Sequence, residues 1–444
     1  MVMHDAAVAA TRFGFGLAFG GDDALAPVTH NDLIDQTRRA PSTDHPAFAG
    51  LRPVHDLVRE FMQVRERGGD PAIIELFRGP FRQTYLDEAT ARLKVAAGSR
   101  DGLHERLVHL WSNHFTVSAR KPIVGGLAGA FEREAIRPHV TGRFADLLVA
   151  VVRHPTMILY LDNAQSFGPN SRGGRYTGIG MNENLAREIL ELHTIGVDGG
   201  YAQADVAGLA RMLTGWSLGR PGKSALPGGF LFHEVVHEPG DHVLLGKAYA
   251  DEGAMQAERA LRDLAALPQT ARRVALRLAR HFVADAPPQD LLERLTGTYL
   301  DTGGDLGELT RMVLADDRAW QPQTKLKTPN DLVVSTLRAL GPASVNRGAV
   351  LALSQLGQPA WAAPSPQGWA DEAGAWLSPD QAMKRIEFAV AIADRLGDRV
   401  APDRFAGAIL GTQLRDETRD AVGRAESRTQ GMAMILAAPE FQRR

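Results

Sequence analysis

The chain has 444 residues, with 50 Lys and Arg against 52 Asp and Glu, for a formal net charge of −2. At 44% hydrophobic and 23% charged residues, the composition excludes a disordered, fibrous or membrane-spanning protein. The missing basic excess argues against a nucleic-acid binder, and the lack of cysteine removes disulfides, thiolate metal ligands, iron–sulfur clusters and a cysteine nucleophile.

The first residues, Met1-Val2-Met3-His4-Asp5, carry neither the basic nor the apolar region of a secretory leader, so the sequence as written predicts a cytoplasmic protein. From there the pattern is helical. Segment 52–66 places Val54, Leu57, Phe61 and Val64 three and four apart, the stripe of an amphipathic helix. Similar stripes recur through 103–112, 127–137, 183–195, 268–284, 325–340 and 378–396, rich in alanine, leucine and arginine. Gly142, Gly196 and Gly341 follow helical runs, and Pro268, Pro287 and Pro329 sit near helix starts. One segment breaks the pattern. Gly229 to Gly246 reads as two β-prone runs around Glu238-Pro239-Gly240-Asp241, which predicts a single β-hairpin. The expected fold is therefore mainly α: a multi-helix globular protein with one small β-hairpin around 229–246. It divides into a helical region at 1–220, a loop and hairpin at 221–250, and a second helical region at 251–444, expected to form one compact unit.

Chemistry without cysteine must come from carboxylates, histidines and arginines, which gather in few places. On a regular helix over 183–195, Glu183, Asn184, Arg187, Glu188 and Glu191 share one arc, with His193 opposite. Two readings follow: a solvated face with a Glu183–Arg187 pair, or a buried polar face in which Glu188 and Glu191, one turn apart, act as paired carboxylates. Arg133 and Arg137, four apart on the helix 127–137, would meet those carboxylates, either as a structural ion network or as a clamp for a substrate anion. In the expected hairpin His237 lies opposite His242, and with Glu238 or Asp241 the two would make a partial shell for a divalent metal. His109 and Asn113 share a helix face while His114 joins Leu107 and Leu110; a site there needs a partner from another helix. Trp361, Trp369 and Trp376 fall within 16 residues of a Pro- and Gly-rich loop, where they either plug the loop onto the core or stack on sugar rings. The Gly215-Trp216-Ser217-Leu218-Gly219 run fits the letters of a nucleophile elbow, but a helix precedes it where the elbow needs a strand.

The runs WSNHFTVS (111–118), FEREAIRPHVTGRF (131–144), NENLAREILELHTIGVDGGY (182–201), ARMLTGWS (210–217), HEPGDHVLLGK (237–247), RLARHFVAD (277–285), TGGDL (302–306) and LGQP…GW…W (356–376) occur in one order along the chain. In that order they resemble the bacterial family called domain of unknown function 1800. Two features depart from that family. Members are often exported, whereas the first residues as written predict no leader, and Ala202 stands where the family tends to place a threonine helix cap. His237-Glu238-Pro239-Gly240 matches the family pattern, whereas His242 does not. The resemblance implies a gene neighbour of the domain of unknown function 1501 type, itself similar to the sulfatase and alkaline phosphatase superfamily.

Two functions are consistent with these residues. One is an enzyme acting on a glycan or envelope polymer, with Glu188, Glu191, Asn184 and His114 as its catalytic groups. Arg133, Arg137, Arg187, Trp369 and Trp376 would bind its substrate, and His237, Glu238 and His242 a metal. The other is a non-catalytic helical scaffold that binds a partner such as the phosphatase-like neighbour.

Overall fold

A computed structural model describes residues 5–20, 28–396 and 400–444, so Met1 to His4, on which the leader expectation rests, lie outside the described residues. The fold is mainly α, with 64% helix and 4% strand. One contiguous cluster of buried apolar side chains runs from Val8 to Phe441, through helices of both expected helical regions. At its centre lies the helix Gly102–His114, buried at every residue except Asn113. A helix buried all round must satisfy its own polar groups. His104 reaches the Gln36 and Arg39 carbonyls, Glu105 pairs with Arg137, and Arg106 pairs with Asp331.

Around this helix stand Arg82–Gly98, Pro268–Phe282 and Pro329–Leu340. The last starts as its sequence dictates: Thr328 accepts from the Asp331 N–H, and Pro329 takes the first position, where no N–H is needed. The helix Gln203–Leu213 starts without the threonine cap, but the Asp205 carboxylate still accepts from the Ala202 N–H at 2.8 Å.

Two segments predicted as regular helices are not regular. The 127–137 stretch is α-helical only over Ala128–Phe131, then widens into a π-turn at Glu132–Ile136 and tightens into a 3₁₀ turn at Arg137–His139. The 183–195 stretch is α-helical over Asn184–Glu188 and π-helical over Ile189–His193. A π-turn changes the angular step per residue, yet Arg187 still reaches Glu191 four residues on, and Arg133 and Arg137 both lie over the Phe48 ring.

The expected single hairpin is replaced by two small antiparallel ladders. Phe230–Phe232 pairs with Trp216–Leu218, while His242–Leu244 pairs with Lys247–Tyr249 across Leu245 and Gly246, both at positive φ. The two-residue turn at Leu245-Gly246 lets the second run fold onto its immediate neighbour. Packing of Phe230 against Trp216, at 5.2 Å between ring centroids, draws the first run the other way. Pro239-Gly240 therefore joins the two ladders instead of turning one.

Candidate functional site

The residues singled out by sequence are dispersed. Arg187 bridges Glu183 at 3.3 Å and Glu191 at 3.5 Å on a half-buried face, and Glu191 also accepts from the Tyr201 hydroxyl at 2.8 Å. Asn184 is exposed. Glu188 is half-buried, and burial followed by the neighbouring Glu191 charge pushes its carboxyl above the usual range.

The arginines expected to meet these carboxylates do share a face, both lying over the Phe48 ring, but they meet other carboxylates. Arg133 is bidentate to Glu88 (2.7 and 3.0 Å), and Arg137 is bidentate to the buried Glu105 (2.6 and 2.7 Å). His114 is buried among Trp111, Phe115 and Phe144, and its Nε2 donates to the His193 carbonyl at 3.1 Å. It packs the core.

The expected metal shell also divides. His237 donates Nδ1–H to the Thr214 carbonyl at 2.8 Å, and both Glu238 oxygens accept from Asn170. His242 bonds the Glu238 carbonyl at 3.3 Å. Among the described residues no group of three or more His, Asp or Glu side chains is arranged to hold a metal ion.

A different constellation does converge. A cavity of about 80 Å³ opens between the helices Gly102–His114, Pro268–Phe282 and Pro329–Leu340 and the tryptophan loop. Its walls include Arg92, His109, His281, Asn330, Gln358 and Asp371.

His109 and His281 are both buried, and each has one ring nitrogen engaged and an Nε2 without a partner. Their engaged nitrogens differ in chemistry. Arg92 donates Nη1–H to Asn330 Oδ1 at 3.0 Å, and a guanidinium only donates, which fixes the orientation of the Asn330 amide. Asn330 therefore presents Nδ2–H to His109 Nδ1 at 3.0 Å, so Nδ1 accepts. Burial first, then the Arg92, Arg106 and Arg137 guanidiniums, hold His109 well below the ordinary histidine range, so the ring is neutral and its proton sits on Nε2.

His281 is the mirror case. Its Nδ1 lies 2.9 Å from Asp371 Oδ2, and an ionised carboxylate only accepts, so Nδ1 carries the proton. Burial lowers this histidine to about 4 despite the opposing pull of Asp371, leaving Nε2 as a bare lone pair. Two residues of the cavity wall are thus neutral imidazoles of opposite tautomer, each with its Nε2 unpartnered and closed off from solvent.

The supporting groups are held in turn. Lys325 Nζ donates to the Asp371 carbonyl at 2.8 Å, and Arg444 lies 3.6 Å from its carboxylate. Glu132 accepts Arg92 Nε–H with both oxygens at 2.9 Å and also takes Trp361 Nε1–H at 2.9 Å.

Asn113 acts on the loop. Its Oδ1 accepts from the Trp369 N–H at 2.7 Å and its Nδ2 donates to the Trp369 carbonyl at 2.8 Å, mimicking a strand partner. Gly368, at φ +82°, permits this clamp, because a Cβ there would lie 2.4 Å from the Asn113 carbonyl. Trp369 is left half-buried in the cavity wall, packed on the buried Trp376 at 6.0 Å.

Of the residues given a catalytic, substrate-binding or metal role from the sequence, Trp369 alone lines this cavity. Sequence reasoning assigned no role to Arg92, His281, Asn330, Gln358 or Asp371. Three of the quoted runs, WSNHFTVS, RLARHFVAD and LGQP…GW…W, nevertheless supply Asn113, His281, Gln358 and Trp369 to its walls.

The model of the family described as Protein of unknown function (DUF1800) matches residues 8–443. The chain belongs to that family. No curated protein and no solved structure matches it. In this DUF1800 chain the described residues include no helix long and apolar enough to cross a membrane.

Proposed function

We propose that this protein is an enzyme that performs acid–base chemistry in the His109–His281 cavity on a glycan or other envelope polymer. The observation that carries the proposal is the pair of opposite tautomers. His281 Nε2, with Asp371 behind it, is the atom that takes a proton, and the neutral His109 ring, set by Asn330, offers its Nε2–H as a hydrogen-bond donor to developing negative charge, once the closed cavity admits substrate to both atoms. Asp371 and Asn330 are positioning residues: each acts through its histidine. Trp369 at the cavity wall supports a sugar-bearing substrate, since an indole face stacks on flat apolar faces of sugars as on other rings. An envelope substrate also entails export, which fractionation of the producing cells checks. The test of function is turnover on a panel of envelope polysaccharides. Loss of turnover in His281→Asn, with Glu188→Gln unaffected, is the expected outcome; the reverse pattern would return the chemistry to the carboxylate face.

A second reading, a partner-binding scaffold working beside a protein of the domain of unknown function 1501 type, draws on a different region. A groove of about 800 Å³ runs between Pro329–Leu340, Arg347–Gln355 and Pro379–Leu396. Leu337, Phe388 and Ile392 line it, and Leu351 nearby is 58% exposed. Co-purification with the neighbour, lost on Leu351→Glu, is the result that favours this role.

A further inference from the structure

The 18-residue helix Pro379–Leu396 turns Arg385, Ala389 and Ala393 into the protein, each four residues after the last. Its remaining residues fall into arcs at about 100° per residue. With Ile386 as zero, Val390 and Met383 lie at about 40° and 60°, and Asp394, Glu387 and Asp380 follow at about 80°, 100° and 120°. All six are exposed. The groove residues Arg395, Phe388 and Ile392 sit on the far side, at about 180° to 240°.

Met383, Ile386 and Val390 are 54%, 47% and 43% exposed, three large apolar side chains spaced three and four apart. That spacing is the seam of a helix that pairs with another helix, and an apolar stripe left in water marks such a contact. Along one edge of the seam Asp380, Glu387 and Asp394 recur every seven residues. Charges at this flanking position choose the partner and its orientation. Among the described residues only Asp380 of the three has an ion-pair partner, Lys384 at 2.6 Å.

The acidic row decides between occupants. A second copy, related by a two-fold axis across the helix, would lay one acidic row beside the other, and like charges so placed repel. An anionic lipid surface would repel the same row. A helix with an apolar stripe bordered by cations would cover the seam and neutralise the carboxylates together.

We infer that Pro379–Leu396 docks a basic amphipathic helix of a partner protein along Met383, Ile386 and Val390, with its lysines or arginines against Asp380, Glu387 and Asp394. The row spans 14 residues, about 21 Å, so the partner helix supplies two to three heptads. This surface is separate from the histidine cavity and from the groove, and it does not depend on the reading of either.

The experiment uses the full chain and two labelled synthetic three-heptad peptides, followed by fluorescence anisotropy. Both carry an apolar seam; one has Lys and the other Glu at the flanking positions, so neither pairs with itself. The Lys peptide is expected to bind at least about 10-fold more tightly than the Glu peptide, and more weakly as salt is added. Ile386→Glu should weaken the Lys peptide by at least about 10-fold, because it sets a charge in the seam. Glu387→Lys combined with Asp394→Lys should reverse the preference between the peptides. All three positions are exposed, so unchanged urea midpoints will show that these variants fold. Leu351→Glu, in the groove, should leave peptide binding as it is.

No binding of either peptide, equal binding of both, or binding that survives Ile386→Glu overturns the inference. Loss of binding in Leu351→Glu overturns it by moving the contact to the groove. Self-association of the free chain in sedimentation equilibrium, abolished by Ile386→Glu, overturns it in favour of a second copy.

Discussion

Replacing Asp371 by Asn tests the link between the buried ion network and the proposed base. Asp371 is 9% exposed, and its carboxylate accepts the His281 Nδ1–H at 2.9 Å. The charge does two things to His281. It opposes the burial that lowers the ring to about 4, and it fixes the proton on Nδ1. An asparagine of the same shape removes the first effect and relaxes the second. The His281 midpoint should therefore move further down, and a population with the proton on Nε2 should appear. In serine-protease triads the equivalent carboxylate-to-amide change costs on the order of 10⁴ in kcat through the wrong tautomer, and a comparable loss is expected here. Stability should also fall. A hydrogen bond to a charged group contributes about 1.5–3 kcal/mol, and Arg444 and Lys325 lose a balancing charge. The assay combines ¹⁵N NMR of the imidazoles with urea unfolding and turnover. A His281 that titrates near 6.5 in both proteins, or an asparagine variant with unchanged tautomer and turnover, would refute the reasoning.

Four further outcomes are expected. His281, at about 4 in the folded protein against about 6.5 unfolded, is protonated only in the unfolded chain between those values. Its contribution is thus complete above about pH 6.5 and declines as pH falls to about 4, by roughly 3 kcal/mol at about 1.36 kcal/mol per pH unit; a pH series of urea midpoints checks the direction, and His281→Asn should flatten it. Glu105→Gln leaves the buried Arg137 guanidinium without its counter-charge and should cost about 3–5 kcal/mol in the same unfolding assay. Gly368→Ala places a Cβ 2.4 Å from the Asn113 carbonyl at a positive φ, so it should release Trp369 and red-shift tryptophan emission, with a stability loss of more than about 1 kcal/mol. Glu188→Gln, on a half-buried face outside the cavity, should leave turnover unchanged and stability within about 0.5 kcal/mol.

The fold class was legible because it depends on periodic apolar spacing. Val54 and Leu57 of the first quoted stripe are buried as that spacing requires, and Thr328-Pro329 starts a helix for local reasons visible in the letters. The site was far less legible. A helical wheel puts Arg133 and Arg137 on one face, and both do lie over the Phe48 ring, but it cannot name the carboxylates they meet, which are Glu88 and Glu105. The hairpin failed because Pro239-Gly240 has turn chemistry, but Trp216, which packs edge-on against Phe230, lies outside its window.

The cavity itself is built from residues far apart in sequence: His109 and Asn330 are 221 positions apart, and His281 and Asp371 are 90. No local pattern reports such pairs. The sequence said only that a site around His109, Asn113 and His114 would need a partner from another helix; His109 bonds Asn330 on the helix Pro329–Leu340.

Imidazole ¹⁵N spectra of the full chain at neutral pH test the central claim most directly, with His109→Gln and His281→Asn providing the assignments. The expected result is two neutral rings of opposite tautomer, His109 protonated on Nε2 and His281 on Nδ1. Two rings of the same tautomer, or a charged imidazolium at either position, would contradict the proposed pairing of a base with a hydrogen-bond donor.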